Sequence, residues 1–220
     1  MDIVAALKYP INSKGGLKTL LIGGLVFLIP ILGQIIVLSY LIGVIQAVAS
    51  GNEDQLPGWE DWREHIREGF VPALAVVGYV VLVLIIGAIL DSTFSGRSGQ
   101  TSLCLFPIVA ALGIFLNVVF QVGLMRYAAT EEVSCFLALR TNLSMLRKDA
   151  STVLPTLVVN ALAPSALSLV TTPLMFLIFP IFLSPFFAFY AGLFMAHMLG
   201  RLSAKLDLGY KASVDTDFWG

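Results

Sequence analysis

The stretch LIPILGQ, residues 28–34, decides the fold because it interrupts an uncharged apolar run that extends from Leu20 to Ala49. That run is longer than the about 20 residues of one straight membrane span and is short for two spans. Pro30 and Gly33 disfavour an unbroken helix, and Gln34 places a polar side chain beside them. The run is therefore either one tilted, kinked helix or a hairpin of two short helices that turns near Pro30–Gly33.

The distribution of lysine and arginine favours the hairpin. If the first run crosses the membrane once, the two sides of the membrane receive 4 and 9 of these residues, whereas a hairpin gives them 12 and 1. Because cytoplasmic loops collect Lys and Arg, we predict the more asymmetric arrangement, with both termini cytoplasmic. Arms this short also allow a re-entrant hairpin, which must then be shielded by protein.

The composition predicts an integral membrane protein. The chain is 58% hydrophobic and 12% charged, with a mean hydropathy of +0.91, whereas a soluble domain carries about 25% charged residues. This charge cannot cover a water-facing surface, so the outer surface must contact the lipid bilayer. The formal net charge of -1 gives no long-range attraction to nucleic acid, which we exclude as a partner. We expect residues 1–220 to form a single helical domain in the cell (inner or plasma) membrane.

Three further apolar runs complete the predicted fold. Phe70–Leu90 and Leu103–Met125 each suit one helix, and Thr152–Leu199 suits two, with a break at VTTP, residues 170–173, and a new helix from Pro173. The fold class is therefore all-α: a multi-pass, polytopic helical bundle with about six membrane-embedded helices, the first two forming the short hairpin.

The stretch LPGWEDWREHIREGF, residues 56–70, is charged although it lies between two apolar runs. A helical projection places both tryptophans with Ile66 and Phe70 on one face and the carboxylates on the opposite face. This pattern predicts an amphipathic helix over 57–69 in the cytoplasmic membrane interface, and similar helices are expected near 2–9 and 131–149. The acidic groups exceed what lipid anchoring requires, so we predict a partner surface that comprises Trp59, Glu60, Asp61, Trp62 and Glu64.

The last apolar run carries a small residue at every fourth position. Such a stripe lets helix backbones approach closely, either inside the bundle or at a subunit interface. Both alternatives stand at this point, and the residues considered for the interface are Ala188, Gly192, Ala196 and Gly200.

The apolar runs contain few polar side chains and no deeply placed charge. This absence counts against ion-coupled transport, which generally uses intramembrane acidic or basic groups. The sequence has no HExxH, GxSxG or GxxxxGK[ST] motif and no cluster with metal-ligand spacing, so we expect neither an enzyme nor a metal site and predict no cofactor. A bound lipid is compatible with the intramembrane polar residues, which are Gln34, Asn117, Gln121, Asn160 and His197.

Three segments together resemble the domain-of-unknown-function 4013 family of prokaryotic polytopic membrane proteins. They are ALKYP (6–10), LLIGGLVFLIPILG (20–33) and LPGWEDWREHIREGF (56–70), so that the resemblance covers roughly residues 1–80. It implies a multi-span helical membrane protein and no particular activity or site residue.

These observations lead to three expectations about function. The first is a non-catalytic subunit or scaffold of a larger membrane protein complex, binding other membrane subunits through its cytoplasmic amphipathic helices and the last helix. The alternative is a transporter component or pore with a re-entrant first hairpin near Gln34. The third is a lipid- or pigment-binding membrane protein that uses the amides of Asn117, Gln121 or Asn160.

Overall fold

The computed structural model describes residues 3–53, 56–94, 101–148, 150–174 and 180–208. In these residues the chain forms helices and no strand, which confirms the predicted all-α class. The helices are α1 (Ile3–Asn12), α2 (Gly16–Phe27), α3 (Leu32–Ala49), α4 (Trp62–Phe94), α5 (Thr101–Thr130), α6 (Ser134–Leu137), α7 (Leu139–Lys148), α8 (Ala150–Leu174) and α9 (Pro180–Lys205).

The predicted break in the first apolar run is confirmed, and it forms the turn between α2 and α3. Pro30 follows the end of α2 and has no N–H with which to extend that helix. Gly33 then approaches α2 so closely that a Cβ there would lie 1.9 Å from the carbonyl oxygen of Val26. Further along the two arms, Thr19 lies beside Tyr40. The two helices are therefore antiparallel, and the run is a hairpin rather than one kinked rod.

Helix α9 is at the centre of the bundle and contacts α1, α2, α3, α5 and α8. Its glycines allow α3 to approach closely: a Cβ on Gly200 would lie 2.6 Å from Cβ of Val48, and one on Gly192 would lie 3.0 Å from the Leu41 side chain. The two contacts follow the same order along both helices: Leu41 with Gly192, then Val48 with Gly200. Helices α3 and α9 are therefore parallel and form the core against which the first hairpin arm packs.

The segment that follows α3 differs from the predicted interfacial helix over 57–69. Residues 56–61 are not helical, and from Trp62 the chain continues as one helix to Phe94. Helix α4 is continuous through Gly69, where a Cβ would lie 2.0 Å from the carbonyl oxygen of Ile35. A side chain at this position would therefore hold α4 away from α3.

Helices α4 and α5 form a second antiparallel hairpin. The Tyr127 hydroxyl lies 3.5 Å from the carbonyl oxygen of Glu68 at one end, and Tyr79 packs edge-on against Phe120 further along, with ring centroids 5.5 Å apart. The part of α4 beyond α3 is covered mainly by α5. Large apolar side chains on several sides of α4 therefore remain exposed.

Two other helix boundaries differ from the sequence prediction. Helix α8 continues through residues 170–173, so Pro173 lies in its last turn and the next helix begins at Pro180. The run contains several prolines and no charged boundary residue, so the sequence pattern indicates the wrong proline as the start of the next helix. The segment 131–149 is divided into α6 and α7 at Ala138, whose ψ is 59°.

Within the described ranges, four helical segments are long and apolar enough to cross a membrane. They include Leu32–Ala49, Trp62–Thr93, Pro107–Thr130 and Leu183–Lys205, and two shorter apolar helices are Gly16–Phe27 and Ala150–Ala163. The described residues thus have the composition and helix lengths of a membrane protein.

Candidate functional site

An ion pair between the end of α3 and the end of α9 organises the candidate site. Arg201 donates from Nε to Glu53 Oε1 at 3.0 Å and from Nη2 to Glu53 Oε2 at 2.7 Å. This two-pronged geometry suits the planar guanidinium group. His197 lies one helical turn earlier on α9, with its Nε2 atom 3.6 Å from Glu53 Oε2. One carboxylate therefore faces both a guanidinium group and an imidazole ring.

Tyr9 covers the other side of His197. The two ring centroids are 4.4 Å apart, and Tyr9 is 6% exposed while His197 is 1% exposed. Helix α1 is held against α9 at this level because the Tyr190 hydroxyl donates to the carbonyl oxygen of Leu7. Within the part of the chain that the structure describes, neither the Tyr9 hydroxyl nor His197 Nδ1 has a hydrogen-bond partner. Two neighbouring rings thus each have a buried polar atom without the partner that burial normally requires.

These side chains line a cavity of about 390 Å³. Its wall combines charged and polar groups from α1, from the segment that follows α3 and from α9 with a short apolar edge on α1. The lining residues are Val4, Ala5, Lys8, Tyr9, Asn12, Ser13, Glu53, His197 and Arg201.

Burial and nearby charges shift the pKa values of two groups that line the cavity. Hydrogen bonds from Arg201, opposed by burial, lower the pKa of Glu53 below its usual value, and the nearby charges of Arg201 and His197 lower it further. Burial raises the pKa of the Tyr9 hydroxyl, and the negative charge of Glu53 raises it further. Glu53 is thus an anion and Tyr9 a neutral hydrogen-bond donor at neutral pH.

A second polar cluster connects α3 to the start of α4. The Ser39 hydroxyl donates to Glu68 Oε2 at 3.2 Å and lies 3.1 Å from His65 Nδ1. His65 Nε2 is 3.3 Å from the carbonyl oxygen of Gly58. This cluster satisfies polar groups where the non-helical segment meets α4. We therefore assign it a structural role.

The structure divides the residues predicted as a partner surface. Trp59 points inward and stacks on Tyr40, with ring centroids 4.1 Å apart and planes 9° apart. Glu60, Asp61 and Trp62 are exposed, while Glu64 is half-buried and pairs with Arg67. The acidic part of the predicted surface is thus accessible, and one of its two tryptophans belongs to the core.

The small-residue stripe of α9 packs within the chain. Gly192 and Gly200 face α3, Ala196 is 2% exposed, and Ala188 is half-buried. Of the two alternatives that the sequence left open, the structure therefore favours packing inside the bundle, and we do not include the stripe in the partner surface proposed below.

The predicted intramembrane polar residues do not converge on one site. Gln34 and Asn117 are exposed. Gln121 is buried and donates to Asn117 Oδ1 at 2.6 Å and to the carbonyl oxygen of Leu157 at 3.4 Å. Asn160 is buried and donates to the carbonyl oxygen of Met195 at 3.3 Å. Gln121 thus connects α5 to α8, and Asn160 connects α8 to α9. Only His197 reaches the cavity.

Sequence reasoning missed the partners of His197. Glu53 and Arg201 are 148 positions apart, and Tyr9 lies in a helix that was assigned only to the membrane interface. A spacing of four residues between His197 and Arg201 was the one available signal, because it places both on the same side of a helix.

Comparison with known proteins identifies a family but no function. The family model described as "Protein of unknown function (DUF4013)" matches residues 22–179. No curated protein and no solved structure matches the chain.

Proposed function

This chain belongs to the DUF4013 family, and we propose that it serves as a non-catalytic subunit or scaffold of a larger membrane protein complex. In this proposal the chain resides in the cell (inner or plasma) membrane with about six membrane-embedded helices. Both termini and the 50–61 segment are cytoplasmic, and α4 presents the partner surface.

The proposal is supported mainly by the exposed ridge at the start of α4. Trp62, Ile66 and Phe70 are 42%, 37% and 56% exposed, and their spacing of four residues aligns them along one side of the helix. An exposed tryptophan at such a ridge is typical of an interface anchor. We call these three residues the α4 ridge.

Charge beside the α4 ridge favours a protein over an anionic lipid surface. The segment 56–70 contains four carboxylates and two arginines, and Glu60 and Asp61 are exposed. A net negative segment repels anionic headgroups and attracts basic residues of a partner. We therefore expect a partner with a helix whose apolar side contacts the α4 ridge and with basic residues near the membrane surface.

Co-purification from the native membrane in a mild detergent tests this function. The wild-type chain should retain a partner in fixed stoichiometry, and the variant Trp62→Ala combined with Asp61→Lys should lose it while keeping its thermal unfolding midpoint. The matched control is Phe115→Ala combined with Asp207→Lys, because both residues are exposed and lie outside α4. If control and ridge variants lose the partner equally, or if the wild type purifies alone, the proposal is wrong.

The alternative is a transporter component or pore, and the short α2–α3 hairpin is the feature that favours it. Discontinuous and re-entrant elements commonly form transporter sites. Solute flux across the membrane of vesicles that contain only the purified chain would support this alternative. The support would be stronger if Gln34→Leu at the hairpin turn abolished the flux.

A further inference from the structure

We propose that the cavity between α1 and α9 binds a phosphate ester that carries a neighbouring hydroxyl group, of the kind found in the headgroup of an anionic glycerophospholipid. This inference concerns a site distinct from the α4 ridge and does not depend on the proposed scaffold function. It rests on the charges, the unpartnered buried atoms and the apolar edge of the cavity.

The charges of the cavity favour an anion. Lys8 and Arg201 are cationic and Glu53 is anionic, so these three groups sum to one positive charge. Arg201 is paired with Glu53, whereas Lys8 is exposed and makes no ion pair with any residue in the described ranges. Lys8 is therefore available to contact a phosphate oxygen, for which a lysine ammonium group is well suited.

The unpartnered atoms favour a ligand with a hydroxyl group. His197 Nε2 faces the Glu53 carboxylate, which favours the tautomer that carries its proton on Nε2 and leaves Nδ1 as an acceptor. The buried Tyr9 hydroxyl is a donor. A ligand hydroxyl can donate to Nδ1 and accept from the Tyr9 hydroxyl through the same oxygen. Both protein atoms are inaccessible to water in the present side-chain arrangement, so one of the two rings must shift on binding. One hydroxylated phosphate ester thereby satisfies both buried groups.

The edge of the cavity favours a lipid as the source of this ester. Val4 lines the cavity and is 58% exposed, and Leu7 and Ile11 are exposed on the same helix. A headgroup inside the cavity would thus leave its acyl chains beside apolar surface, where they avoid water. A soluble phosphate ester has the same polar chemistry but gains nothing from this edge.

Binding of the delipidated full-length protein to fluorescent phosphatidylglycerol in mixed micelles tests the inference. Phosphatidylcholine micelles provide the comparison lipid, and glycerol 1-phosphate provides the soluble ester. Wild type should bind phosphatidylglycerol about tenfold more tightly than phosphatidylcholine, because only phosphatidylglycerol has headgroup hydroxyl groups and it lacks the quaternary ammonium that Lys8 would repel. A tenfold difference is about 1.4 kcal/mol, the size of one net hydrogen bond. Lys8→Gln and Tyr9→Phe should each remove most of this preference.

Matched controls separate binding from folding. Lys18→Gln and Tyr79→Phe make the same chemical changes outside the cavity and should keep the preference. Tyr9→Phe should also keep or raise the unfolding midpoint of the lipid-free protein, because it removes a buried hydroxyl that has no partner. Competition by glycerol 1-phosphate at the affinity of the lipid would support the site and identify a soluble ester as its ligand. Equal binding of both lipids by wild type, or equal losses in Lys8→Gln and Lys18→Gln, would overturn the inference.

Discussion

At the scale of single residues, two tryptophans three positions apart have opposite environments. Trp59 stacks on Tyr40 and lies near Phe189, with ring centroids 5.8 Å apart, whereas Trp62 is 42% exposed. The helical projection placed both on one membrane-facing side because it assumed that the helix begins before Trp59. Since the helix begins at Trp62, Trp59 lies outside it. The helical rotation of about 100° per residue therefore does not relate the two side chains.

Glu53 gives a prediction at the same scale, which concerns pH dependence. Its pKa is lowered in the folded protein, chiefly by hydrogen bonds from Arg201. The resulting stabilisation is complete above the unfolded pKa of about 4.3 and is lost as the pH falls through the lower folded pKa. Glu53→Gln should therefore lower the free energy of unfolding by about 1 kcal/mol at neutral pH, a value kept small because Glu53 is partly exposed.

Thermal unfolding in detergent across a pH series measures this difference. The midpoints of wild type and Glu53→Gln should converge at acid pH. Glu60→Gln is the matched control, because Glu60 is exposed and should have the wild-type midpoint at every pH. A Glu53→Gln deficit that persisted unchanged in acid would contradict an ionic origin.

At the scale of helices, the close approach of α3 and α9 depends on a missing side chain. A Cβ on Gly200 would lie 2.6 Å from Cβ of Val48 and 2.9 Å from the carbonyl oxygen of Ile45. Neither neighbour is the flexible end of a side chain, so a methyl group would push the helices apart. Among the described residues, Gly78 on α4 has no neighbour within 4 Å of such a Cβ, and it therefore provides the comparison.

Gly200→Ala should destabilise the protein by about 1–3 kcal/mol through overpacking. Gly78→Ala should be neutral or stabilise by up to about 1 kcal/mol, because alanine favours a helix over glycine. Thermal unfolding of both variants in the same detergent measures the contrast. Equal midpoints for Gly200→Ala and wild type would mean that α3 and α9 are not in close contact at this point.

At the scale of the whole molecule, the ends of several helices meet at one end of the bundle. Glu53 after α3 contacts Arg201 near the end of α9, and Tyr9 of α1 contacts His197. At the same end Lys205 donates to Thr152 near the start of α8. This grouping is what a hairpin in the first apolar run requires, because α3 must then return to the side from which α2 started.

Labelling of single cysteines tests the membrane topology proposed for this arrangement. With Cys104 and Cys135 replaced by alanine, Gly99→Cys should react with an impermeant maleimide added to intact cells, whereas Asn52→Cys should react only after permeabilisation. The reason is that one more membrane-crossing helix, α4, separates the two positions. Reaction of both from the same side would contradict the topology proposed here.

The sequence alone determined the helical class, the family, the break near Pro30 and the presence of long apolar helices. Each of these depends on composition or on local pattern: apolar length, a proline without an N–H, and too little charge to cover a soluble surface. These signals are strong because they act within a few residues of the chain. They predicted the first hairpin correctly, but they missed the end of α8 because its run is uniformly apolar.

Only the tertiary structure decided which side chains meet. Tyr9, Glu53, His197 and Arg201 come from three different parts of the chain, and Trp59 turns inward because residues 56–61 return along α3 rather than forming a helix. The choice of helix neighbours depends on close packing of glycines and aromatic rings over long sequence distances. Apolar periodicity encodes that choice only weakly, because every side of a lipid-embedded helix can be apolar.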